Sequence, residues 1–187
     1  MIPNVKSILS QYTLKQLLVR IAEEYVWWMI RSWPGLEGVV LRYLFLKCTA
    51  KKLAGFCWIS PGCTLVNSYG LSIGKNFAVN RNVIIDGIGG IEIGDGTGIG
   101  PNCVLLSQEH SMLSQDMRGY TKRPIKIGAH VWIGSNCFIK AGVNIGDDAV
   151  IAACSNVIAD VSEQGQVIGS PARPYFQVMR EFLSTRT

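Results

Sequence analysis

Two hydrophobic periods divide this chain. From Ile59 onward an aliphatic residue recurs mostly every six positions: Ile59, Leu65, Ile73, Val79, Ile85, Ile93, Ile99 and Leu105, then Ile127, Ile133, Ile139, Ile145, Ile151 and Val157. All fourteen are Ile, Leu or Val, six of them (73, 93, 99, 127, 133 and 145) are followed directly by Gly, and two steps, 65 to 73 and 85 to 93, are eight residues long. A period of six fits neither an amphipathic helix nor an alternating strand. It predicts a triangular coil in which each hexad is one short strand and one corner, three hexads close a turn, and successive turns stack. The first residue of each hexad points into the prism. The fifth points inward beside a corner, where a small side chain is expected: Cys63, Val83, Thr97, Cys103, Val131, Cys137, Val143, Ala149 and Ser155, with Cys57 in the same phase. Gly at the second position suits a tight backbone at the corner.

Before Ile59 the period is helical. Leu14, Leu17, Leu18, Ile21, Tyr25, Trp28 and Met29 form one stripe, with Lys15, Arg20, Glu23, Glu24 and Arg31 mostly outside it. Pro34-Gly35 breaks this helix, and a second is predicted over Leu36 to Lys47 with Val39, Val40, Tyr43 and Leu44 on one side. Two compatible roles follow. The helices would cap the open end of the solenoid. They would also lie at a membrane interface, with Trp27, Trp28 and Trp33 beside Arg31, and Lys47, Lys51 and Lys52 near anionic lipid. The expected class is mostly β: a parallel β-helix with an N-terminal helical segment and a short C-terminal helix. The expected divisions are residues 1–55, 56–174 with an expelled loop at 106–126, and 175–187.

Charge sharpens the N-terminal reading. Residues 1–52 carry eight Lys or Arg against three Glu, and the rest of the chain is balanced at ten and ten. A partner found by charge is therefore sought at the N-terminus, and nothing points to nucleic acid. No stretch resembles a signal peptide. The apolar run from Tyr25 to Leu46 is interrupted by Arg31, Glu37 and Arg42, whereas a spanning helix needs about 20 nearly uncharged residues. The expected location is the cytoplasm, with peripheral contact at the inner face of the membrane through residues 1–52. The cysteines make no CxxC pair, and those in the hexad phase read as small buried residues of a reduced compartment.

The repeat is broken once at length, between Leu105 and Ile127, by the segment LSQEHSMLSQDMRGYTKRPIK, which contains His110. A solenoid that expels one long loop does so by drift or for function. From His110 onward the chain resembles the hexapeptide-repeat acyltransferases that include the maltose, galactoside and xenobiotic O-acetyltransferases. The strings that carry the resemblance are PIKIGAHVWIG (124–134), AGVNIGDDAVIAACSNVIADV (141–161) and VIGSPARP (167–174). The resemblance implies a left-handed coil, acetyl-CoA as co-substrate, no metal, and an active site between the subunits of a homotrimer. It implies His110 as general base, a role that suits an imidazole neutral at cytoplasmic pH. It places a backbone N–H near Ser135 at the oxyanion and Trp132 beside the pantetheine arm. Gly142, Ala153 and Ile158 would line the CoA groove, and Arg173 would meet a CoA phosphate. The chain has Ile158-Ala159 where the family often has Thr or Lys, and Ala153-Cys154 where it usually has Ala-Gly. Asn80 and Asp86 are candidate acceptor contacts, and either also fits a corner residue bonded to its own backbone. His130, inside a hexad, is read as structural or solvent-facing. GDGTGIG at 94–100 lies within the register and is not a nucleotide loop.

The function expected is transfer of acetyl from acetyl-CoA to a hydroxyl of a sugar or surface-polysaccharide precursor. An amino-sugar N-acetyltransferase and a serine-type O-acetyltransferase stay open, although the serine enzyme normally brings a larger helical domain. A non-catalytic scaffold is a further class. A zinc-dependent carbonic anhydrase relative needs several ligand histidines, and this chain has His110 and His130 alone.

Overall fold

The computed structural model describes residues 12–110 and 120–184. Three parallel sheets wrap a single apolar column. Each turn of the chain visits them in the same order. The first sheet holds Lys52–Leu53, Leu71–Ile73, Ile91–Ile93, Ile125–Ile127 and Asn144–Ile145. The second holds Cys57–Ile59, Phe77–Val79, Gly98–Ile99, Trp132–Ile133, Val150–Ile151 and Gln166–Ile168, with Arg173–Pro174 added antiparallel at its end. The third holds Thr64–Val66, Ile84–Asp86, Val104–Leu106, Phe138–Ile139 and Asn156–Val157. This is the β-helix that the six-residue period predicts.

Register stacks the periodic residues on one another. Ile73, Ile93, Ile127 and Ile145 align on the first sheet, Ile59, Val79, Ile99, Ile133 and Ile151 on the second, and Leu65, Ile85, Leu105, Ile139 and Val157 on the third. None of the fourteen is more than 4% exposed. Like side chains in like environments, repeated along the axis, remove each strand's apolar edge from water without a second layer.

Two details of the corners differ from expectation. Large side chains also occupy the fifth phase: Leu71, Ile91 and Ile125 stack on the first sheet, and Phe77 lies on the second, all buried. The three aliphatics each lie within a step longer than six residues. Phe77 instead pairs with the small Cys57. The second difference concerns glycine. The second-position glycines do not adopt positive φ. A Cβ on Gly94 would lie 2.5 Å from Ala129 N and from Gly128 C, so close approach of the next coil is what excludes a side chain. The left-handed residue is the fourth of the hexad: Asn76, Asn82, Asn102 and Asn136, with His130, Asp148 and Cys154 in the same conformation. Asn tolerates it best among residues with a Cβ. His130 is thus an exposed corner residue.

The helices cover the first coil. They comprise α1 (Leu14–Ala22), a π-helical turn (Glu23–Trp27), α2 (Trp28–Ile30) and α3 (Gly35–Thr49). A Thr13–Gln16 capping box starts α1. The apolar stripe of the first helical run faces outward: Leu14, Leu18, Ile21, Tyr25, Trp28 and Met29 are all exposed. Val19, Glu23 and Trp27 face the solenoid, and on α3 so do Val39, Arg42, Phe45, Leu46 and Thr49. Trp27 is therefore a core residue and is unavailable to lipid. Its ring packs on Phe45 at 5.2 Å between centroids, and its indole N–H donates to the Cys63 carbonyl at 3.1 Å. α4 (Tyr175–Ser184) closes the described chain. No described helix is long and apolar enough to cross a membrane.

Candidate active site

The long interruption leaves the coil at the edge between the third and first sheets. Its neck is an antiparallel hairpin in which Gln108 faces Lys122, Glu109 faces Thr121 and His110 faces Tyr120. His110 thus stands at the last described position of its strand; its side chain, and residues 111–119, lie outside the described part.

Polar contacts hold the neck on both sides. The Ser107 hydroxyl donates to the Asp86 carbonyl at 2.6 Å and accepts from Gly89 N–H at 2.8 Å. The buried Asp86 carboxylate accepts from Gln108 Nε2 at 2.9 Å, from Asn67 Nδ2 at 2.7 Å and from Ile88 N–H at 3.1 Å. Tyr69 donates to the Asn67 side-chain oxygen, and burial first, then neighbouring charges, raises its pKa. Below the neck, Glu109 pairs with Lys140 at 2.8 Å and Arg123 at 3.4 Å. The Lys140 ammonium holds the Glu109 carboxyl below the usual carboxylate range, with Arg123 adding to the effect. Gly142, at φ 85°, lies beneath Arg123, where a Cβ would approach that side chain at 3.3 Å. Asp86, Gly142 and the His110 strand therefore share one edge.

Ser135, Ala153 and Asn80 lie on another edge, between the second and third sheets. A Cβ on Gly134 would lie 2.6 Å from Ala153 N, so these corners stack directly. The Ser135 carbonyl accepts from Cys154 N–H at 2.8 Å; among the described residues its own N–H has no acceptor. Cys154 takes the left-handed corner conformation at φ 62°, so the Ala-Cys departure is absorbed there. Trp132 is 54% exposed on the second sheet and lies over Gly98, where a Cβ would meet its ring at 2.9 Å. The Asn80 side-chain oxygen accepts from Arg81 N–H at 2.8 Å, as a corner residue does. Ile158 is exposed just after the third sheet. Arg173 donates to the Glu181 carboxylate on α4 at 2.8 and 3.3 Å. Asn80 and Asp86 are thus not brought together. Nor, within one chain, are Ser135 and His110: a whole face of the prism separates their edges, up to about 20 Å at ~3.3 Å per residue.

The Glu109–Lys140–Arg123 cluster escaped sequence reasoning because Lys140 comes close only through coil stacking. Glu109 next to His110 was the one available signal. Cys57 and Cys63 are buried thiols of the core: burial pushes the Cys57 thiol up to about 12 and raises Cys63 as well. Among the described residues no three His, Cys, Asp or Glu side chains form a metal-sized group.

A hexapeptide coil broken once at an edge by a histidine-bearing hairpin defines the class of hexapeptide-repeat transferases. The family model described as the hexapeptide repeat of succinyl-transferase matches residues 124–157. The chain is 36% identical over 133 residues to nodulation protein L of Rhizobium meliloti (strain 1021), covering 70% of this chain and 73% of that one. It is 26% identical over 164 residues to the putative colanic acid biosynthesis acetyltransferase WcaF of Escherichia coli (strain K12), covering 86% and 87%. Among solved structures, a galactoside acetyltransferase in complex with coenzyme A superposes with a TM-score of 0.77 at 28% identity, covering 87% of this chain and 82% of that one. The chain belongs to the hexapeptide-repeat acetyltransferase family and is an acetyltransferase.

Proposed function

We propose that the enzyme transfers acetyl from acetyl-CoA to a hydroxyl of a sugar, in a surface-polysaccharide precursor, with His110 as general base. The observation that supports this is the hairpin at the third-to-first edge, whose first strand carries His110 two residues after Gln108, which bonds Asp86. His110 takes the hydroxyl proton as that oxygen attacks the thioester carbonyl. The tetrahedral oxyanion accepts from the Ser135 N–H; the C–S bond then breaks, and the CoA thiolate leaves with the proton returned by the imidazolium. The galactoside acetyltransferase complex supports both CoA and a sugar acceptor, and the colanic acid relative supports a polysaccharide one.

Base and oxyanion donor lie on different edges of one chain, so a site that uses both needs the edge of a neighbouring copy. The protein is accordingly a homotrimer. Trp132 packs on the pantetheine arm, Gly142, Ala153 and Ile158 line the groove, and Arg173 leaves Glu181 to meet a CoA phosphate. Asn80 and Asp86 contact or orient the acceptor. The enzyme works in the cytoplasm, peripheral to the inner face of the membrane.

The test is acetyl-CoA turnover across a panel of sugar acceptors. His110→Ala is expected to lower kcat by about 10²–10⁴-fold with little change in acetyl-CoA binding. Near-full turnover on the best acceptor removes the base assignment.

A further inference from the structure

The helical cap is built inside out. Two of its charged residues, Glu23 and Arg42, face the protein. Glu23, 6% exposed, accepts from the backbone N–H groups of Asn67 at 2.9 Å and Ser68 at 2.6 Å. Arg42, fully buried, donates Nε–H to the Ile59 carbonyl at 2.8 Å and Nη1–H to the carbonyls of Ile30 and Trp33 at 3.0 and 2.9 Å. Trp27 adds its bond to Cys63. Each staple ties a helix to the first coil or to the other helix, and together they fix which face of each looks outward.

That outward face is apolar. On the first helical run Leu14, Leu18, Ile21, Tyr25, Trp28 and Met29 lie opposite the buried row of Val19, Glu23 and Trp27, and five of them, all but Ile21, are more than half exposed, from 58% for Leu18 to 73% for Leu14. On α3, Leu36, Val40 and Leu44 lie opposite Val39, Arg42 and Phe45, and Trp33 joins Leu36, Val40, Leu41 and the exposed Glu37 around one shallow cleft. Soluble surfaces rarely leave so many large apolar side chains together. Charge identifies the occupant. The basic excess of the whole chain sits in residues 1–52, and Lys15, Lys47, Lys51 and Lys52 are exposed there. An apolar helical face accompanied by lysines matches the boundary of an anionic bilayer, with the side chains in the acyl region and the ammonium groups among phosphates.

We infer that the outward face of the helical cap is a rigid, preformed docking surface for an anionic lipid bilayer. The inference rests on the peripheral position proposed above and names its surface. Docking in this way sets the solenoid's first coil toward the lipid. The His110 hairpin leaves after the third coil, so it stands roughly 20 Å from the bilayer, two coil spacings of ~4.8 Å plus one helix diameter of ~10 Å. A lipid-borne sugar chain that projects by that length reaches it.

The test uses the full chain with vesicles of phosphatidylcholine alone or with phosphatidylglycerol, in a flotation assay. The triple variant Leu18→Glu, Trp28→Glu, Leu44→Glu changes exposed positions alone, and its thermal melt checks folding. Wild type is expected to float with the anionic vesicles at least tenfold more than with the neutral ones, to be released by high salt, and to lose flotation in the folded triple variant. No flotation of wild type, or equal flotation of the triple variant, overturns the inference. So does a change of oligomeric state in the variant without vesicle binding, which assigns the face to contact between copies. Turnover on a soluble acceptor separates the two readings: the triple variant retains it if the docking surface is as inferred, whereas loss in His110→Ala concerns the chemistry alone.

Discussion

The solenoid and its helical cap obey opposite rules of burial. In the solenoid, each of the fourteen periodic aliphatics is buried. In the first helical run, six residues with an equally regular period are exposed, and the row that faces the protein contains Glu23. The two regions have similar hydrophobic signals and differ in what lies opposite. A hexad has one inside, the prism axis, so its periodic residue has a single place to go. A helix lying on a surface has two apolar-compatible sides, and three specific polar staples choose between them. Periodicity therefore identifies an element, while the fate of its apolar face depends on what packs there.

The comparison can be broken most directly by truncating matched side chains. Ile133→Ala, at a position with no exposure, is expected to cost about 2–5 kcal/mol in urea unfolding. Leu18→Ala, at 58% exposed, is expected to stay within about 0.5 kcal/mol. Similar losses at both sites, measured without lipid, would show that the cap hides its stripe in solution.

Within the solenoid, the corners separate close approach from backbone conformation. Gly94→Ala puts a Cβ 2.5 Å from backbone atoms of the next coil. It is expected to destabilise by about 1–3 kcal/mol, because the coil spacing cannot yield locally. Asn136→Gly, at φ 58°, is expected to change stability by about 0.5 kcal/mol or less, since glycine accepts that conformation. Equal effects would mean that second-position glycine is there for its freedom after all.

The smallest expected effect concerns the neck of the hairpin. The folded pKa of Glu109 is depressed chiefly by Lys140, so its ion pairs contribute above the unfolded carboxyl value of about 4.3 and are lost as pH falls through the folded value. Glu109→Gln is expected to lower stability by about 0.5 kcal/mol at pH 7, with the difference from wild type vanishing in acid. A difference that persists in acid would point to packing instead of charge.

The positions of the candidate site residues in the coil were legible because solenoid register is arithmetic. Once Ile127, Ile133 and Ile139 are in phase, Trp132 must lie on an outer face, and Ser135 and Gly142 must lie at successive corners. The break after Leu105 singled out His110 for the same reason. The partners of the hairpin were not legible. Glu109 meets Lys140, and Asp86 meets Asn67 and Gln108, through stacking between coils, and no local spacing encodes those pairs. Arg173 shows the converse: its string pointed to phosphate, and the fold supplies Glu181 one helix later.

The sequence by itself determined the coil, its three-sided repeat and its one expulsion, because a six-residue period of aliphatics has a single low-energy way to leave water. Only the tertiary structure decided which side of the helices is inside. That choice rests on Glu23 finding two free N–H groups and Arg42 finding a set of carbonyls, and such matches exist only once the first coil has formed.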